Sequence, residues 1–122
     1  MPARRRVDVA DGEQALAAWE ALQPGEELGR GVLATAVRYA MEELVARAPG
    51  RSVEVRVPPY AAAQVIEGPR HTRGTPTNVI ETDPQTWLEL VTGRTTWPAA
   101  VADGTVRASG QRADLTAYLP LR

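Results

Sequence analysis

The 122-residue chain has no cysteine, no phenylalanine, a single histidine and no lysine, so every basic residue except His71 is arginine. The missing cysteines exclude disulfides and thiol catalysis and fit a reducing cytoplasm. One histidine with no cysteine does not make a typical zinc site. Net charge is only -1. No global field therefore draws the chain to nucleic acid or to an acidic membrane. No apolar run approaches the roughly 20 residues of a spanning helix, so stable membrane insertion is not expected. The basic cluster Arg4-Arg5-Arg6 runs into Val7-Asp8-Val9-Ala10-Asp11-Gly12 and lacks the apolar core of a signal peptide.

What is present is a regular alternation of elements and breakers. Residues 1–10 read as a flexible basic arm, and 11–122 as one domain long enough for a core. Asp11 is placed to cap a first helix from about Gly12 to Leu22, with Ala15, Leu16 and Trp19 on its apolar side. Gln23-Pro24-Gly25 breaks it. Val32, Leu33, Ala36, Val37, Ala40, Met41, Leu44, Val45 and Ala48 repeat at helical spacing and predict a long helix over about Glu27 to Ala48. Pro49-Gly50 ends that helix. Val53, Val55 and Val57 then alternate with Ser52, Glu54 and Arg56, a half-buried strand. A second strand over Tyr60 to Glu67 makes a hairpin with it.

A polar loop, Gly68 to Pro76, follows and leads into a strand at Thr77 to Thr82. Asp83 and Pro84 have the chemistry of a helix start. Trp87, Leu88 and Val91 share one face of that helix, and Gly93 can end it. A short helix over Trp97 to Asp103 is expected to turn Ala100 and Val101 inward and to stop at Gly104. Val106, Ala108 and Gly110 alternate with Thr105, Arg107 and Ser109 as a strand. Asp114, Leu115, Tyr118 and Leu119 predict a closing helix ended by Pro120. The class is α+β, a mixed or antiparallel sheet of about four to five strands with helices packed mainly on one face.

Residues that carry chemistry are sparse. Gly104 to Gly110 lacks the Lys-Ser/Thr ending of a phosphate loop. Ser109 has no nucleophile-elbow context. One polar constellation stands out: Arg70, His71 and Arg73 within four residues, held between glycines and prolines. Two guanidinium groups and an imidazole suit a carboxylate or phosphate headgroup. The plainer reading is a solvated loop pairing with Glu67 or Glu81. As a general base His71 has no evident nucleophile or orienting carboxylate, so an enzyme is not expected.

The runs ELGRGVLATAVRY, APGRSVEVRVPPYAAAQ, GPRHTRGTPTNVIETDPQTWLEL and ASGQRADLTAYLPL, with Gly104, Val106 and Gly110, resemble the sterol carrier protein superfamily. The resemblance is strongest to its short bacterial orthologues, found in actinobacteria, and covers nearly the full chain. It implies a sterol-carrier-like domain that binds an apolar ligand (a fatty acid, acyl thioester or sterol-like lipid) without covalent chemistry and without a cofactor. It implies an apolar lining at Trp87, Leu88, Val91, Val101, Val106, Leu115 and Leu119, with the last helix, Asp114 to Leu119, as a lid. Arg70, His71 and Arg73 could meet a headgroup. The same fold also serves as an interaction or dimerisation module, and exposed Trp19, Tyr39 or Tyr60 would favour that role. The expected species is a cytoplasmic monomer or homodimer.

Overall fold

The alternation Val53-Glu54-Val55-Arg56-Val57 builds the centre of the sheet. In the computed structural model, which describes residues 5–69 and 78–122, this stretch is β1 (Val53–Val57). It pairs antiparallel with β2 (Ala61–Val65), opposing Val55 to Ala63 and Val53 to Val65. On its other side β1 pairs parallel with β3 (Val79–Thr82), which pairs antiparallel with β4 (Val106–Ser109). Among the described residues the sheet is therefore four-stranded and mixed, in the order β2-β1-β3-β4. One face carries Val53, Val55, Val57, Val65, Ile80 and Val106, all buried. The other carries two ion pairs, Glu54 with Arg56 and Glu81 with Arg107, and takes water.

Helices cover the apolar face. α1 (Val9–Glu20) and α2 (Arg30–Arg47) precede β1. At 18 residues α2 is about 27 Å long. α3 (Pro84–Thr92) and α4 (Trp97–Asp103) lie between β3 and β4. α3 is capped as its sequence predicts. The Asp83 carboxylate accepts from Thr86 N at 2.8 Å, and Gly93 closes the helix at φ 78°. Gly104 stops α4 in the same left-handed conformation.

Several expectations are corrected. α1 begins at Val9, and its cap is Asp8, whose Oδ2 accepts from Asp11 N. The segment before it is tied to α2: Arg6 N and Val7 N both donate to the Glu42 carboxylate, and Arg5 pairs with Glu43. Residues 5–8 are therefore docked, where a flexible arm was expected. α2 starts at Arg30, three residues later than its apolar pattern predicts, behind the cap residue Gly29. Val101 faces solvent at 42% exposure, while Ala100 turns inward as expected.

The expected closing helix does not form. Tyr118 N and Leu119 N both donate to Leu115 O, one isolated turn, and Asp114 takes Thr116 N with its side chain. A single turn repays little of its nucleation cost. Pro120 offers no N–H to extend it. Leu121 N and Arg122 N instead bond Val91 O on α3.

Candidate functional site

Two hollows flank α1, and α2 walls both. The first is a cavity of about 240 Å³ bounded by α1, α2, α3 and the last residues of the chain. Leu16, Ala40, Val91 and Leu121 give it an apolar floor. Glu13, Tyr39, Glu43, Arg47 and Arg122 give it a charged wall. Tyr39, Glu43 and Arg47 come from one line of α2 at four-residue spacing, a polar stripe beside the buried face. Arg122 closes the wall from the far end of the chain. Its Nη1 donates to Glu13 Oε1 at 2.6 Å, and its Nε lies 2.9 Å from Glu20 Oε1. Arg47 donates to Leu121 O, and the Tyr39 hydroxyl donates to Glu13 Oε2.

The cavity's polar wall suits water or a polar ligand. The Tyr39 and Arg122 hydrogen bonds hold the Glu13 carboxyl below its ordinary 4.5. Burial, then the Glu13 and Glu43 carboxylates, push the Tyr39 phenol well above its ordinary 10.0.

The Glu13 shift carries a prediction. Its folded-state value is lowered, so its contribution to stability is complete above the unfolded value and is lost as pH falls through the folded one. Urea unfolding of Glu13→Gln should therefore fall less steeply than wild type between about pH 6 and about pH 3. Equal slopes for the two proteins would refute it.

The second hollow is an open groove of about 1040 Å³ on the opposite side of α1. Val7, Ala15, Ala18, Val32 and Tyr60 supply its apolar surface. Arg6, Asp8, Asp11 and Arg38 supply charges of both signs. Arg38 Nε donates to Tyr60 O, which joins α2 to the β1–β2 turn.

The lining implied by the resemblance lies largely elsewhere. Trp87, Leu88, Val91, Val106 and Leu115 are all at or below 3% exposure and pack within the core cluster. Val91 also borders the cavity. Leu119 is half-buried, and Val101 is exposed. Arg70, His71 and Arg73 lie outside the described residues. Trp19 and Tyr39, aromatics whose exposure would mark an interaction face, are 3% and 4% exposed. Tyr60 is half-buried in the groove. Among the described residues no group of His, Cys, Asp or Glu is arranged to hold a metal ion. Among them no helix is long and apolar enough to cross a membrane.

Sequence reasoning missed Glu13, Glu43, Arg47 and Arg122. The stripe on α2 was visible as spacing. The Glu13–Arg122 contact joins residues 109 apart and left no local signal.

A four-stranded mixed sheet backed by helices on one face, with hollows between those helices, defines an α+β domain of the sterol carrier type. The chain belongs to the bacterial sterol carrier protein orthologue family, whose model, described as "Bacterial SCP ortholog", matches residues 29–121. That span takes in α2 through β4 and leaves α1 outside. No curated protein matches the chain significantly.

Proposed function

We propose that this protein is a cytoplasmic carrier for an apolar or amphipathic ligand of the fatty acid, acyl thioester or sterol-like lipid class, and that it makes and breaks no bond. The observation that carries the reading, beside the family membership, is the groove. Its volume lies at the upper end of the roughly 300–1,000 Å³ of ligand sites. Its walls at Val7, Ala18, Val32 and Tyr60 offer apolar surface to a chain. Each methylene taken out of water gains about 0.8 kcal/mol. Trp87, Leu88, Val91, Val106, Leu115 and Leu119 are the side chains a ligand would meet if it parted the helices further.

The test is displacement of a fluorescent fatty acid by palmitate and by cholesterol, with native mass spectrometry of the complex. Val32 is an exposed helix residue, so Val32→Asp should fold normally. It places a charge on the apolar wall and should weaken palmitate binding by roughly tenfold. Absence of saturable binding of either lipid to the folded protein would overturn the reading.

A further inference from the structure

The cavity beside α1 differs in kind from the groove. Its wall contributes two carboxylates, Glu13 and Glu43, and two guanidinium groups, Arg47 and Arg122. These charges sum to zero. A lone anion or a lone cation placed among them meets as much repulsion as attraction, while a ligand carrying one charge of each sign finds a partner for both. The floor, Leu16, Ala40, Val91 and Leu121, is apolar, and Leu121 at 7% exposure is the most accessible of the four. At about 240 Å³ the space falls below the size of a drug-like ligand.

From these features we propose that the cavity binds a small zwitterion of the apolar α-amino acid class. The ligand carboxylate takes donors from Arg47 and Arg122, as guanidinium forks favour. Its ammonium donates to Glu13 and to Glu43, which also pairs with Arg5. Its side chain rests on Leu121, the most accessible of the floor residues. The groups are already fixed for this. Arg47 is held by Leu121 O, and Arg122 by Glu20 through Nε, which leaves the Nη1 side to exchange Glu13 for the ligand. Glu13 is kept charged by the Tyr39 hydroxyl. This site is independent of the lipid groove, which none of these side chains lines.

The experiment is isothermal titration of the folded full chain with L-leucine, L-leucinamide, 4-methylpentanoate and glycine. Leucinamide keeps the ammonium and loses the carboxylate, and 4-methylpentanoate does the reverse. Glycine keeps both charges and loses the side chain. Leucine should bind with a Kd below about 1 mM. Each of the other three should bind at least tenfold more weakly, the loss that one charge-assisted pairing or the buried side chain controls. Arg47→Gln and Glu43→Gln should each reproduce the tenfold loss for leucine. The ligand series on the wild-type protein decides the matter even if a variant misfolds. No saturable heat with leucine overturns the proposal. Equal binding of leucine and either single-charge analogue also overturns it. Neither result bears on palmitate in the groove, so this proposal and the carrier reading can fail separately.

Discussion

Gly12→Ala should unseat α1. A Cβ on Gly12 would lie 2.2 Å from Tyr39 Cγ and 2.3 Å from Cδ1. No real side chain tolerates that approach, and the Tyr39 ring is held by its hydrogen bond to Glu13. The tight contact is what lets α1 lie flat on α2 and bury Ala15, Leu16 and Trp19. Overpacking of this kind costs typically 1–3 kcal/mol, and about 3 kcal/mol is expected here. Alanine's better helix propensity returns less than about 1 kcal/mol. The loss should be uneven. Amides of α1 should lose hydrogen-exchange protection while those of β1 keep theirs. Truncating the ring should relieve the clash, so Gly12→Ala with Tyr39→Ala should cost at least about 1 kcal/mol less than the sum of the single changes. If Gly12→Ala unfolds within about 0.5 kcal/mol of wild type, the contact between α1 and α2 is not tight.

The largest single loss should come from Trp87→Ala. Trp87 is fully buried and sits where α3 meets α2. Its Nε1 donates to Val37 O at 3.3 Å, tying residues 50 apart. Removing a buried tryptophan costs about 3–5 kcal/mol, against a total stability of about 5–15 kcal/mol for a domain. A fall in Tm of roughly 15 °C is expected. Trp87→Phe keeps most of the volume and loses the N–H, so it should cost only about 1–2 kcal/mol. Palmitate sharpens the measurement. If Trp87 is core, palmitate should raise the Tm of Trp87→Ala no more than it raises that of wild type. If Trp87 walls the ligand site, the enlarged hollow should take the chain, and palmitate should restore a large part of the lost Tm.

How much of this was legible in the sequence depends on the range of the interaction. α3 was readable end to end. Asp83, Pro84 and Gly93 act on backbone groups within four residues, so no distant contact was needed to place them. The valines of β1 were readable because a period of two leaves only one way to bury them. The end of the chain was not. Leu115, Tyr118 and Leu119 carry a helical spacing, yet Val91 O on α3 claims the N–H groups of Leu121 and Arg122. Val101 was misread because α4 is only seven residues long, too short for its pattern to separate two adjacent apolar positions.

The amino-acid sequence by itself determined the α+β class, the positions of the strands and of α3 and α4, and the family. Each of these rests on local chemistry or on the sum of many weak local signals. The tertiary structure alone decided where the hollows lie and which side chains wall them. The cavity exists because Glu13, Arg47 and Arg122, remote along the chain, are brought together by the packing of α1 on α2 and by the last residues on α3. Packing of that kind is set by which surfaces exclude water together. It has no period and no motif in a single chain.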